Sequence, residues 1–203
     1  MFYEPQSGHN LPHNPFKAIV APRPIGWIGT RSKTGAVNLA PYSFFNAVCD
    51  TPPMIMFSSS GVKDSVTFIE ETGEFTASLV SDHLKEHMNA TSVNAPRGIS
   101  EFSYAGLTAA PSKLIAAPFV KEAYAALECV AVEVQNLQDK EGRRTDNYMV
   151  IGEVVGVHID ESVLTDGLFD IRKAKPVTRL GYMDYATTQE VYQMTRPKWV
   201  DKS

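Results

Sequence analysis

Residues 148–159 read Tyr-Met-Val-Ile-Gly-Glu-Val-Val-Gly-Val-His-Ile, a run of strand-forming residues with two glycines four positions apart. Side chains alternate between the two faces of a strand, so Gly152 and Gly156 lie on the same face. Glycine weakens a strand unless the backbone must coil or another group must approach closely. A small closed barrel imposes such coiling, and this stretch therefore predicts a barrel strand. His158 is expected to be a hydrogen-bonded wall residue of that strand rather than a ligand.

Most of the remaining chain also has strand-like sequence. Stretches rich in Val, Ile, Thr and aromatic residues predict strands over 25–31, 37–41, 54–58, 74–81, 125–138 and 175–180. Two helices are predicted, one over 64–72 with Asp64 as its N-cap and one over 82–91. Antiparallel strands with few helices favour a barrel over a parallel α/β sheet. The predicted fold class is therefore mainly β with peripheral helices.

The length of 203 residues suits one domain spanning 1–203. Within it we expect an irregular lead-in at 1–16 and an aromatic C-terminal tail at about 182–203. Two cysteines, Cys49 and Cys129, have apolar sequence neighbours and are expected to be buried free thiols.

The charge and hydropathy pattern excludes several classes of partner. A net charge of −4 argues against a nucleic-acid surface, because neutralising phosphates requires a basic face. No stretch approaches the ~20 apolar residues that span a bilayer, so no membrane association is expected. The first residues lack the pattern of a secretory signal, and a cytoplasmic location is expected.

One segment has the composition of a ligand-binding strand edge. Residues 37–46 read Val-Asn-Leu-Ala-Pro-Tyr-Ser-Phe-Phe-Asn. A strand ending in Ala-Pro-Tyr-Ser presents backbone groups, small side chains and an aromatic face together, and Pro41 removes one N–H. Such an edge suits a planar heteroaromatic ring with alternating donors and acceptors. An ordinary strand and turn packed by Tyr42 and Phe44 would explain the same residues.

A second segment has the composition of an anion site. Residues 57–67 read Phe-Ser-Ser-Ser-Gly-Val-Lys-Asp-Ser-Val-Thr and lead from a strand into a helix. Three hydroxyls, one lysine and the amide groups at a helix N-terminus favour a bound anion. The order of residues is not that of a Walker loop. A polar loop before a capped helix is the alternative explanation.

Together with Ala21-Pro22-Arg23-Pro24-Ile25-Gly26-Trp27, these segments resemble the flavin reductase-like, FMN-binding split-barrel family. The resemblance extends from about residue 1 to 186 and is carried, in order, by PRPIGWIGTRS, VNLAPYSFFNAV, PPMIMFSSS, KDS, ETGEF, MNATS, ALEC, VIGEVVGVHID and RLGYMDY. It implies a Greek-key antiparallel split β-barrel that binds FMN. It also implies a homodimer with its flavin sites at the subunit interface.

The resemblance further implies which residues contact the flavin. The ring-side residues would be Asn38, Ala40, Pro41, Tyr42 and Ser43. The phosphate-side residues would be Ser58, Ser59, Ser60, Lys63, Asp64 and Thr67. Of these, Asp64 is expected to cap the helix, because two anions repel each other. By analogy alone, Thr30 and Arg23 would lie near the ring, and Asn89 and Ser92 would come from the second subunit. No catalytic residue is assigned.

The predicted function is NAD(P)H-dependent reduction of flavin or another small acceptor through bound FMN. No G-x-G-x-x-G dinucleotide fold is present, so NAD(P)H, as a transient donor, would stack on the flavin and deliver hydride to N5. The flavin carries this chemistry, while the protein supplies orientation, electrostatics and access. A small molecule or a partner redox protein would accept the electrons. The alternative is an FMN-binding electron carrier without NAD(P)H oxidoreductase activity of its own.

Two other classes have weaker support in the sequence. His83-Leu84-Lys85-Glu86-His87 matches the H-x-x-E-H pattern of some zinc peptidases and would place both histidines on one helix face. No third ligand is identifiable, so a solvated helix face is expected and no metal site is predicted. A haem-binding split barrel is less favoured, because neither flavin-edge segment contains a histidine.

Overall fold

The structure, a computed structural model, describes residues 1–96 and 98–199. Its β-strands are β1 (Arg23–Pro24), β2 (Gly26–Arg31), β3 (Val37–Tyr42), β4 (Phe45–Asp50), β5 (Pro53–Ser60), β6 (Glu74–Leu79), β7 (Ala109–Ala110), β8 (Phe119–Val120), β9 (Ala125–Gln138), β10 (Arg144–Ile159), β11 (Leu164–Thr165), β12 (Leu168–Phe169), β13 (Val177–Arg179) and β14 (Tyr185–Thr187). Its α-helices are α1 (Phe16–Ile19), α2 (Asp64–Thr72), α3 (Lys85–Ala90), α4 (Glu101–Tyr104) and α5 (Ile171–Ala174), and 3₁₀ turns span Pro5–Ser7, Asp82–Leu84 and Glu161–Val163.

Seven strands form one antiparallel sheet in the order β3-β2-β6-β9-β10-β5-β4. The end strands of this order, β3 and β4, are joined in the chain by only Ser43 and Phe44. The sheet must therefore curl until its ends meet, and there the rings of Tyr42 and Phe57 lie 4.7 Å apart. Strands β3 and β4 do not pair through backbone hydrogen bonds, and the long β9–β10 hairpin lies between β6 and β5 in the sheet. The fold is the Greek-key split β-barrel that was predicted.

Glycines allow the long β10 strand to coil. The register between β9 and β10 shifts between Ile151 and Gly152 and again between Val154 and Gly156. A Cβ atom on Gly152 would lie 2.4 Å from the ring of Phe75, a separation that no pair of carbon atoms tolerates. The two glycines therefore mark bulges and a close approach, as their spacing predicted.

Two apolar clusters lie on either side of β2 and β3. One lies inside the barrel and includes Ile28, Phe57 and Phe75. The other lies beneath the helices that follow β6 and includes Trp27 and Leu39, together with Leu84, Met88 and Phe102. Strand β3 contributes to both clusters, with Leu39 in the second and Tyr42 in the first.

The predicted helix over 64–72 is confirmed with the same bounds, but its N-cap residue is Lys63, and Asp64 is its first helical residue. The predicted helix over 82–91 begins instead as a 3₁₀ turn and becomes α3 only at Lys85. The strand predicted over 175–180 is shorter, because Lys175 adopts a φ of 45° just before Pro176.

Strand β4 was not predicted. It is an edge strand with five exposed residues in succession, so its sequence lacks the alternation that marks a half-buried strand. The prediction that Cys49 is buried is wrong, because Cys49 lies on this exposed strand. Cys129 is buried as predicted, and burial raises the pKa of its thiol to about 12.

The two ends of the chain are largely irregular. Residues 1–15 hold a single 3₁₀ turn and are mostly exposed. In the predicted tail, β14 pairs with β13 in a separate three-stranded sheet of order β1-β13-β14, and residues 189–199 are exposed, with Trp199 at 91%. Residues 200–203 of that tail lie outside the described residues. Within the described residues, none of the helices has the length and apolar character needed to cross a membrane.

Candidate functional site

The candidate site is a cleft of about 240 Å³ between β3, the start of α2 and the segment after α3. Seven of the residues predicted to contact a ligand line it: Asn38, Ala40, Pro41, Tyr42, Lys63, Asp64 and Ser92. The two segments that were predicted separately, a ring-binding edge and an anion site, therefore border one cleft.

One wall of the cleft is set by the amide of Asn38. Its Nδ2 donates to Oγ of Ser65 at 2.8 Å and to Oγ1 of Thr30 at 3.3 Å. The amide oxygen takes no part in these two hydrogen bonds. Thr30 is fully buried and lies behind Asn38 rather than in the cleft. The predicted role of Thr30 beside a ligand is thus replaced by one of orienting Asn38.

Tyr42 closes the barrel end of the same wall. Burial is the main reason that the pKa of its phenol is raised, and the charges of Glu101 and Asp64 raise it further. Its hydroxyl lies near those of Ser59 and Ser65, yet makes no hydrogen bond of normal geometry. Tyr42 therefore offers a neutral, incompletely bonded phenol at the edge of the cleft.

The adjoining wall is the N-terminus of α2, whose second residue, Ser65, accepts the hydrogen bond from Asn38. Lys63 stands at the N-cap with extended backbone and an exposed side chain, and its side chain does not cap the helix. A helix N-terminus carries partial positive charge. Lys63 adds a full positive charge at the same place. Lys63 and the first amides of α2 therefore favour an anionic group at this wall, where the carboxylate of Asp64 is the opposing charge.

The three serines before α2 do not converge on the cleft. They belong to the end of β5 rather than to a loop, so their side chains alternate between its faces. Ser59 is buried and donates to the Gly61 carbonyl at 3.0 Å, whereas Ser60 is exposed and Ser58 faces another cavity. Thr67, one turn into α2, does not line the cleft.

A buried carboxylate, Glu101, lies in the cleft and was missed by the sequence analysis. Its Oε2 accepts a hydrogen bond from the Leu39 amide at 3.1 Å. Burial raises the pKa of this carboxyl, and the nearby charge of Asp64 raises it further. No sequence motif identifies Glu101 as a site residue, because a single glutamate after Ser100 indicates only the start of a short helix.

Arg23 faces a different cavity, of about 670 Å³, that also includes Ser43 and Ser58. Its guanidinium donates to the carbonyls of Lys17, Val20 and Leu180. Arg23 therefore anchors the lead-in to the barrel, and the structure does not bring it to the cleft.

Asn89 and Ser92 lie in a third cavity, of about 300 Å³, beside Ser43. This cavity and the cleft share Pro41 and Ser92, so the two are adjacent. Both residues reach this position within one chain. Their place beside β3 therefore needs no second subunit.

The histidines form no metal site in the described part of the chain, where no group of three potential ligands occurs. The rings of His83 and His87 contact different carbonyls, those of Glu122 at 3.3 Å and Ala105 at 2.8 Å. His158 bonds to the buried Glu128, which confirms it as a wall residue.

The chain resembles known proteins over most of its length. An uncharacterized protein of Aquifex aeolicus is 37% identical over 169 residues, which cover 80% of this chain and 83% of that protein. Nitrilotriacetate monooxygenase component B from Bacillus cereus has a TM-score of 0.82 at 31% identity and covers 92% of this chain and 100% of its own. Flavoredoxin of Desulfovibrio vulgaris has a TM-score of 0.75 at 27% identity, covering 85% and 90% of the two chains. Residues 20–178 match the model of the flavin reductase like domain, and the chain belongs to that family.

Proposed function

We propose that this chain is an FMN-binding oxidoreductase that passes electrons from NAD(P)H to flavin or another small acceptor. The observation that carries the proposal is the single cleft that both the Asn38–Tyr42 edge and the N-terminus of α2 line. Membership of the flavin reductase like family supports the redox activity.

The polar groups, the open ring face and the positive charge of the cleft suit the ring and the phosphate of FMN. Asn38 and Tyr42 offer polar groups to the edge of a planar ring, while Ala40 and Pro41 leave room for its face. The phosphate would be held by Lys63 and the first amides of α2. When bound, FMN would supply the hydride and electron chemistry, and these residues would bind and orient it.

One phosphate site favours FMN over FAD. Among residues 1–96 and 98–199, α2 is the only helix longer than six residues, so a second helix N-terminus of comparable strength is absent there. An adenylate would need a further cradle.

The experiment is recovery of the cofactor. The purified protein is expected to be yellow, and mass spectrometry of the released cofactor should identify FMN. Recovery of FAD alone, or no flavin binding after reconstitution, would refute the cofactor assignment. Steady-state oxidation of NADH and NADPH, with free FMN or FAD as acceptor, then tests the reductase activity.

The second candidate function is an FMN-binding electron carrier without NAD(P)H oxidoreductase activity. The similarity to a flavoredoxin supports it. A protein that holds FMN and exchanges electrons with a partner redox protein, yet oxidises neither NADH nor NADPH, would establish this alternative.

We further propose a homodimer with two flavins near the subunit boundary. The exposed tail leaves Tyr192, Met194 and Trp199 more than four-fifths accessible. Exposed valines on the β9–β10 hairpin, such as Val132 at 52% and Val157 at 60%, form a second apolar surface. Apolar surfaces of this kind mark protein interfaces.

A further inference from the structure

The cavity next to the proposed ring site has its own chemistry. We call it the Arg179 pocket; it has a volume of about 300 Å³, and its lining includes Pro41, Ser43, Asn89, Ser92, Arg179 and Tyr185. Because Pro41 and Ser92 also line the cleft, a molecule in the Arg179 pocket would lie directly beside the proposed ring site. The proposed function leaves this pocket without a role.

Within residues 1–96 and 98–199, Arg179 is a positive charge without a carboxylate partner. In the described residues no ion pair includes Arg179. Its Nη1 donates to the hydroxyl of Tyr185 and its Nη2 to the carbonyl of Tyr182, while its guanidinium stacks on the Tyr185 ring at 4.3 Å. A guanidinium has five N–H groups, so donors remain for a ligand.

A second cation increases the positive potential at this place. Arg23 lies directly opposite Arg179 in the β1–β13 register, and the charge of Arg179, after burial, helps to lower the pKa of Arg23. Among the residues that the structure describes, the hydrogen-bond partners of Arg23 are neutral carbonyl groups. Neither positive charge is therefore neutralised by these contacts, and an anion would relieve their repulsion.

Tyr185 adds a directed donor to the pocket. A phenol has one hydrogen to donate. Because the Tyr185 oxygen already accepts from Arg179, that hydrogen is left for another acceptor.

The backbone of Tyr182 is held in the left-handed region at a φ of 56°, which an L-residue adopts at a cost in free energy. The carbonyl of that strained residue orients the guanidinium.

We propose that the Arg179 pocket recognises a small planar organic anion, with its carboxylate on Arg179 and Tyr185 and its ring toward the flavin. This inference rests on the proposed function, which puts the flavin ring at Pro41. The volume is at the lower limit of small-molecule sites and suits a single substituted ring rather than a whole dinucleotide. The aromatic carboxylates are thus the substrate class that the pocket fits.

The test is equilibrium binding of benzoate to the FMN-loaded protein by titration calorimetry, with benzamide as the neutral probe of the same shape. Arg179→Gln should weaken benzoate binding roughly ten- to a hundredfold, because a hydrogen-bonded charge is lost. Arg179→Lys keeps the charge but not the planar fork, so it should restore part of the affinity. Benzamide should bind the wild type and both variants within about twofold of one another, since it carries no charge.

Further variants keep the result interpretable. Tyr185→Phe retains the ring on which Arg179 stacks and should weaken benzoate binding severalfold through loss of one donor. Equal benzoate affinity in the wild type and Arg179→Gln overturns the proposal. The proposal is also overturned if Arg179→Gln weakens the binding of inorganic phosphate but not that of benzoate, since that outcome assigns the pocket to the phosphate of a nucleotide.

The FMN affinity of the same proteins is measured separately by fluorescence titration. Arg179→Gln should bind FMN within about twofold of the wild type, because the phosphate-side residues are untouched. If the wild type binds no FMN, the proposed function fails. The benzoate titration of the flavin-free protein still reports on Arg179 in that case.

Discussion

Glu101 is a carboxyl group that the fold holds at an electrostatic cost. Because burial raises the pKa of this group in the folded protein, its contribution to stability is present below the unfolded pKa and is lost as the pH rises through the folded pKa. Deprotonated Glu101 also adds negative charge beside the proposed phosphate site. A single carboxyl thus links pH, stability and ligand affinity.

Glu101→Gln is expected to stabilise the protein at neutral pH and to have little effect near pH 4, because the amide keeps an acceptor for the Leu39 amide. It should also raise FMN affinity a few-fold at neutral pH. Urea denaturation and FMN titration at both pH values measure the two effects. Glu122→Gln is the matched control, since Glu122 is exposed and also accepts from a backbone amide. A variant less stable than the wild type at pH 7 would contradict the expectation.

At the residue scale, the predicted residues that share one cleft are mostly those that are contiguous in the sequence. The edge from Asn38 to Tyr42 was predicted because it forms one strand end. Glu101 was missed, because only the tertiary fold brings it beside Leu39. The serine triplet was predicted to act together, but the extension of β5 to Ser60 makes successive side chains face opposite ways.

At the scale of elements, the start of α2 is the part of the fold on which the anion site depends. Lys63→Ala should weaken FMN binding about ten- to a hundredfold, because a charge-assisted bond to phosphate is lost. Stability of the flavin-free protein should change by no more than about 0.5 kcal/mol, since Lys63 is exposed. Lys121→Ala, which removes an exposed lysine away from the cleft, is the control. Unchanged FMN affinity would show that Lys63 is only a solvated residue at the start of α2.

The coil of β10 is the other element-level feature with a measurable consequence. Gly152→Ala should destabilise the protein by about 1–3 kcal/mol or more, because the new methyl group overlaps the Phe75 ring. Gly156→Ala should cost less, since its nearest neighbours would lie 3.3 Å away on the Glu128 side chain. Urea denaturation of both variants gives the comparison. Equal stability of the two would refute the packing argument.

Elements with strong local signals were predicted well from the sequence. Helix α2 and strand β9 have the predicted bounds. Strand β4 was not predicted, since an edge strand can be exposed on both faces and then shows no alternation. The shortened β13 follows from the left-handed turn at Lys175, which only the tertiary structure reveals.

At the scale of the whole molecule, the exposed tail is the feature to test for assembly. Ending the chain after Thr188 removes 189–203 but keeps β14, which pairs with β13. We expect the dimer dissociation constant to rise at least tenfold and flavin retention to fall, with monomer stability changed by no more than about 0.5 kcal/mol. Light scattering at low micromolar concentration measures the first effect. A full-length protein that is monomeric yet holds FMN tightly would show that the subunits share no site.

The order of strands in the sheet bears on how this protein is made. Every residue that lines the cleft lies between Asn38 and Glu101, yet β5 and β6 belong to one sheet only through the β9–β10 hairpin, which ends at Ile159. During synthesis, at about 5–20 residues per second, the ribosome therefore releases all the cleft residues several seconds before the hairpin that holds them together. A nascent chain carries the complete binding sequence without the binding site. Capture of a cofactor is thus a late event, open only to chains whose translation has passed Ile159.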